Sequence, residues 1–250
     1  MTKAVFSRYL LVMFILVFST THAIATQLNP PEVGLKTKHQ KEIVILIHGL
    51  MRTSLSMRPL KSFLEGYGYE VHLYSYPSAR YSIQQHGIRL QHFVDELITQ
   101  NPGKKINFIT HSLGGIITRE AVSKLKHKQM KQIGCLIMLA PPNQGSTLAK
   151  ISTKMFPLFT SPIKPLAELS TEQSSYVHRV PVPKIKMAII AGKYDAKVPP
   201  EYARLEGQME PMIISTNHML IMNNSKVREL ILQFLANGKF AKKESNKRKE

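Results

Sequence analysis

A chain of 250 residues can bury one sizeable core, and a hydrophobic fraction of 43% excludes wholesale disorder. Its formal charge of +18 admits an anionic membrane or envelope surface as a peripheral partner. Nucleic acid is disfavoured, because no zinc-ligand spacing, RNP-type strand or basic heptad helix accompanies the charge.

Residues 1–25 have the layout of a signal peptide. Lys3 and Arg8 precede the apolar stretch Tyr9 to Phe18, and Ala23-Ile24-Ala25 supplies a small-residue cleavage site. That stretch is roughly half the ~20 residues a membrane-spanning helix needs. The expectation is export, with a periplasmic or extracellular protein released by cleavage near Ala25. Residues 26–240 then make one domain, opening on an extended lead-in with Pro30-Pro31, and 241–250 are a basic disordered tail.

Glu42 to Ile47 is a β-branched run suited to a buried parallel strand, ending at His48-Gly49-Leu50. A helix is expected over Arg58 to Glu65, a strand over Glu70 to Tyr74 and an amphipathic helix over Ser82 to Gln100. Ile106 to Thr110 is the next strand, followed by a helix over Leu113 to Lys126. Gly134 to Ala140 and Lys186 to Gly192 continue the sheet, Pro211 to Ser215 is a short last strand, and Lys226 to Leu235 a closing helix. This alternation argues for an α/β fold, a mostly parallel sheet with helices on both faces. Residues 146–184, with five prolines, form too long a connection for a plain loop and predict a lid or cap inserted after the strand ending at Ala140.

The chemistry gathers at strand C-termini. In His111-Ser112-Leu113-Gly114-Gly115 a strand stops at a serine followed by small residues, the pattern of a sharp strand-to-helix elbow that presents the serine hydroxyl. A serine hydroxyl is a weak nucleophile and needs a base, an orienting acid and oxyanion donors. Asp195 follows the strand ending at Gly192, and His218 follows the last short strand, giving the chain order Ser112, Asp195, His218. Glu201 is a competing acid. The amides of Leu50 and Leu113 are candidates for a two-donor oxyanion hole, with Gly49 allowing close backbone approach. His48 is expected to prop its loop, His111 to pack beside the elbow, and Gly114 to let the helix come close to the strand.

These pieces, together with Ala140-Pro141-Pro142-Asn143-Gln144-Gly145 and Val198-Pro199, resemble the α/β-hydrolase superfamily, specifically small bacterial lipase- and esterase-like members. The resemblance runs from about Glu42 to Leu235. It implies an α/β-hydrolase fold, an acyl-enzyme on Ser112, an ester or lipid substrate, and a lid reached through the Pro-Pro-Asn-Gln-Gly stretch. One departure is Thr110, which stands where the usual G-x-S-x-G elbow has glycine.

The single cysteine, Cys135, lies in an apolar strand and is expected to be a core residue. No metal or cofactor motif is present: HExxH, cysteine pairs, calcium loops and G-x-G-x-x-G are all missing. The expected function is therefore a serine hydrolase of carboxylic esters. A thioesterase, amidase or acyltransferase on the same three residues is the alternative within the fold. A non-catalytic envelope-binding protein is the alternative outside catalysis. Met155 to Phe159 and Met219 to Met222 are candidate apolar surfaces for an acyl chain.

Overall fold

Six short apolar runs become strands: β1 (Glu42–Ile47), β2 (Glu70–Tyr74), β3 (Lys105–His111), β4 (Ile133–Leu139), β5 (Lys186–Gly192) and β6 (Met212–Ile214). They pair in parallel throughout, in the order β2-β1-β3-β4-β5-β6. The computed structural model describes residues 42–146, 149 and 162–240, all within one compact unit, Val33–Glu250. The expected signal peptide, the basic tail and the Met155 to Phe159 segment lie outside the described residues.

Alternation along each strand divides the core into two layers, because successive side chains point to opposite faces of the sheet. Ile43, Ile45 and Ile47 of β1 join Phe108, Met138 and Ile189 on one face. Val44 and Leu46 join Ile109, Ile137 and Ile190 on the other. Helices α2 (Ile83–Gln100) and α3 (Leu113–Val122) cover the first face through Leu90, Val94, Ile116 and Ile117. Helices α1 (Arg58–Gly66) and α6 (Ser225–Asn237) cover the second through Leu60, Leu64, Ile231 and Phe234. A sheet buried on both faces explains why the inner strands β1, β3, β4 and β5 are near-continuous apolar runs, whereas the edge strand β2 alternates with Glu70 and His72.

Local sequence sets the helix ends. Ser82 and Gln85 exchange side-chain and backbone hydrogen bonds in a capping box that starts α2. Asn224 caps α6, which stops at Gly238 in the left-handed conformation.

The helix after the serine is shorter than expected, ending at Val122 where the sequence suggested Lys126. Ser123 turns its hydroxyl back onto the Arg119 carbonyl, and Lys124 and Leu125 make tighter three-residue hydrogen bonds. A separate single-turn helix, α4 (His127–Met130), follows. In the long β4–β5 connection the described residues include α5 (Lys164–Glu168) and a 3-10 turn, Tyr176–Arg179.

The strand order positions the site. From β1 the chain moves outward to β2, then returns to β3 on the other side of β1, so the connections leaving β1 and β3 diverge at their C-terminal ends. Open α/β sheets form their ligand crevice at such a switch point.

Candidate active site

Ser112 stands at that crevice, between β3 and α3. Its backbone is in a strained, sparsely populated conformation, φ 52° and ψ −125°, held by a hydrogen bond from its amide to the Leu139 carbonyl (2.9 Å). Close approach of the following helix requires Gly114, where a Cβ would lie 2.7 Å from the Ile47 carbonyl oxygen and 2.8 Å from that of His48. Thr110, the departure from the usual elbow pattern, is fully buried, and its hydroxyl reaches toward the Ile137 carbonyl at 3.4 Å. A Cβ at Gly115 would sit 3.2 Å from that hydroxyl. The threonine is therefore accommodated by a glycine on the far side of the serine.

Asp195 and His218 come together from separate loops. His218 Nδ1 lies 2.6 Å from Asp195 Oδ2, and the aspartate side chain is wholly buried. The other oxygen, Oδ1, accepts from the amides of Lys197 (2.9 Å) and Val198 (2.8 Å), which fixes the carboxylate plane. Glu201, the competing acid, is exposed in the 3-10 turn Pro200–Ala203, and Asp195 holds the imidazole.

Ser112 and His218 line the same pocket, about 200 Å³ in volume, with His111, Leu50, Met51, Arg52 and Met219 around them. Its apolar lining comes from Pro142, Ala149, Leu166, Leu169 and Val198. Among the described residues the His218 ring is hydrogen-bonded to Asp195 alone, leaving Nε2 without a protein partner. Serine–imidazole contacts in unliganded hydrolases are often long and tighten only with substrate. The Met219 to Met222 run divides: Met219 lines the pocket, Leu220 is exposed, and Ile221 and Met222 are core residues.

Of the two residues whose amides are candidate oxyanion donors, Leu50 lines this pocket and Leu113 directly follows Ser112, which also lines it. Leu113 is the first residue of α3, so its N–H has no intrahelical acceptor. Leu50 follows Gly49, whose Cβ, were it present, would meet His111 Nδ1 at 2.9 Å and Ser112 Cβ at 3.0 Å. The loop is pinned beyond Leu50 by Met51, at φ 56°, whose amide donates to the Ser78 hydroxyl (3.0 Å). His48 props it from below. Its ring stacks on Tyr76 at 4.3 Å, and the Tyr76 hydroxyl donates to the His48 carbonyl at 2.7 Å. Burial lowers the His48 pKa, so the ring is neutral at pH 7.

His111 does more than pack. Its Nε2 lies 2.9 Å from the His218 carbonyl oxygen, so a proton on that nitrogen ties the elbow to the histidine loop across the sheet. Burial, then the neighbouring His218, hold the His111 pKa well below the ordinary histidine value. A second long-range tie involves Arg119 of α3, buried at 2% exposure. It donates to Asn143 Oδ1 (2.9 Å) and to the Val180 carbonyl, while Asn143 donates to the Ala203 carbonyl (2.8 Å). Neither partner set is signalled by spacing, because the contacts join positions 24 to 107 residues apart.

Cys135 is buried against Asn107, and burial raises its thiol pKa to about 12, which makes it an inert core residue. Among the described residues no three histidine, cysteine or acidic side chains gather to hold a metal ion.

A parallel sheet covered on both faces, with a strained serine elbow beside an aspartate–histidine pair, belongs to the α/β-hydrolase superfamily. Within it the chain is a member of the DUF676 family, described as "Putative serine esterase", whose pattern matches residues 37–163. That stretch contains Leu50, Ser112 and Leu113 and ends before Asp195 and His218. The fold is shared with the mature lipase BlEst2 of Bacillus licheniformis, 19% identical over 80% of this chain and 93% of that one, with a TM-score of 0.61. Aspergillus fumigatus lipase B is 14% identical over 86% of this chain and 55% of that one, with a TM-score of 0.64. MGS-MChE2, an α/β-hydrolase enzyme from a lagoon-sediment metagenome, is 19% identical over 81% and 94%, with a TM-score of 0.55. No curated protein matches the chain in sequence.

Proposed function

We propose that the chain hydrolyses carboxylic esters through an acyl-enzyme on Ser112. The observation that carries this reading is the Asp195–His218 pair, 2.6 Å apart, opening onto the pocket that also holds the strained serine. Asp195 accepts a hydrogen bond from the His218 Nδ1–H, keeps the proton on that nitrogen, and so leaves Nε2 as the basic nitrogen. That nitrogen takes the Ser112 proton as the hydroxyl oxygen bonds to the carbonyl carbon. The amides of Leu50 and Leu113 donate to the negative oxygen that results. Collapse breaks the bond to the alcohol, whose oxygen receives the proton from Nε2. Water, deprotonated by the same nitrogen, then releases the acid and restores Ser112. The apolar lining from Pro142, Ala149, Leu166, Leu169 and Val198 suits the acyl arm.

A fluorophosphonate probe tests the reading directly. Labelling of the wild type that is lost in Ser112→Ala is expected, and folded wild-type protein that never labels would overturn it. Hydrolysis of p-nitrophenyl esters faster than matched thioesters and anilides would separate an esterase from the thioesterase and amidase alternatives.

A further inference from the structure

The wall of the pocket is electrically one-sided. Arg52 stands two residues beyond Leu50, and Lys197 two residues beyond Asp195, so two of the loops that build the site each carry a cation into its lining. Among the described residues the lining contains no carboxylate: Asp195 has its side chain wholly buried and paired with the His218 imidazole.

Neither rim cation is paired with a carboxylate among the described residues. The Arg52 guanidinium donates to the Met219 sulfur. A thioether is a weak acceptor, and it leaves most of the guanidinium fork unused. Arg52 is half-buried and Lys197 exposed, whereas Pro142, Ala149, Leu169 and Val198 are buried. The charges therefore stand at the mouth, beside the exposed side chains of Met51 and Met219, and the buried apolar surface lies inside. Their field reaches the elbow: burial chiefly keeps the His111 ring neutral, and the charges of Arg52 and Lys197 act in the same direction.

We propose that the preferred substrates are esters bearing an anionic group, with the acyl arm against the apolar lining and the anion held at the mouth by Arg52 and Lys197. The proposal rests on the hydrolase reading above. The anion's source can be a phosphate headgroup on a lipid or a carboxylate on a small soluble ester, and both offer oxygens that a guanidinium fork and an ammonium can bind. A neutral ester of equal length would leave both cations with solvent and the Met219 sulfur alone.

The test compares esters with one acyl chain on different alcohols: a monoacylglycerol, the corresponding monoacylglycerol phosphate, and a soluble 4-acyloxybenzoate beside its neutral 4-acyloxybenzamide counterpart. A charge-assisted hydrogen bond contributes ~1.5–3 kcal/mol, so kcat/KM should favour the anionic member of a pair about 10- to 100-fold at low salt. The ratio should collapse toward one in the doubly substituted Arg52→Met, Lys197→Met protein and shrink in 0.5 M salt. Preference within the phosphate pair alone assigns the lipid headgroup, and preference within the acyloxybenzoate pair alone assigns the soluble acid. A wild-type ratio near one in both pairs, or a ratio unmoved by the double substitution, overturns the proposal while leaving ester hydrolysis intact.

A second measurement does not depend on turnover. Calorimetric titration of Ser112→Ala with dodecyl phosphate and with dodecanol should show tighter binding of the phosphate, lost in the protein that also carries the two methionines. Equal affinities would overturn the anion site whether or not the chain is a hydrolase.

Discussion

The two walls of the pocket are built by different physics. On the β1–β3 side the serine and the candidate oxyanion amides sit where the backbone forces them, through a positive φ at Ser112 and at Met51 and glycine clearances under 3 Å. These features are local, each fixed within a few residues of a strand end. On the β5–β6 side the acid and the base are held by hydrogen bonds between loops. Asp195 is oriented by two amides of its own turn, and His218 is held by Asp195 and His111. The first wall stores strain in backbone geometry, and the second depends on each side-chain partner being present. Substitutions on the second wall should therefore lower catalysis with little loss of stability, and disturbance of the first should lower stability.

The largest expected effect is on the second wall. Asp195→Asn keeps the shape but replaces the acceptor of the His218 Nδ1 proton with an amide that can favour the wrong tautomer. Loss of this acid in such a relay costs about 10⁴ in kcat. We expect that drop in ester hydrolysis, with the thermal midpoint changed by only a few degrees, while Glu201→Gln stays within about twofold of wild type. Comparable losses in the two variants would mean that the acid had been misassigned.

The first wall should break in acid. His86 of α2 is fully buried, edge-on to Tyr76 at 4.9 Å, and Tyr76 in turn stacks on His48 below the Leu50 loop. Burial, then the charge of Arg89, lower its pKa from 6.5 to about 4. The unfolded chain thus binds this proton first as pH falls, and stability is lost progressively between pH 6.5 and 4. The loss approaches about 3 kcal/mol at the lower limit. His48 and His111 shift in the same direction and steepen the slope. Thermal midpoints measured from pH 7.5 to 4 should decline, and His86→Phe should decline less. An identical slope in the variant would remove His86 as a source.

How much the sequence discloses follows the same division. The elbow is legible because five contiguous residues, His111 to Gly115, must each satisfy one local constraint. The strands are legible because burial on both faces leaves only apolar choices at positions such as Ile43 to Ile47. Asp195 and His218 can be located as candidates by chain order, yet their contact is a property of the folded loops. The early end of α3 was hidden, since Ser123 and Lys124 are compatible with a continuing helix until the serine hydroxyl turns back onto Arg119. The buried Arg119–Asn143–Ala203 tie is not legible in the sequence, because only the assembled β4–β5 connection supplies the acceptors of the guanidinium.

The smallest expected effect joins the two walls. His111 belongs to the elbow, but its Nε2 reaches the carbonyl of His218, so it transmits the position of the rigid wall to the adjustable one. One neutral hydrogen bond contributes ~0.5–1.5 kcal/mol, and His111→Phe, which keeps ring volume and removes the donor, should lower kcat up to about tenfold with KM nearly unchanged. His111→Gln, whose amide can donate to the same carbonyl, should recover part of that loss, and the rate of fluorophosphonate labelling should follow the same order. Because both variants disturb packing, a packing role alone would lower their thermal midpoints without ranking their rates. If the glutamine variant is no faster than the phenylalanine one, the tie is steric, and the imidazole is positioned by Asp195 alone.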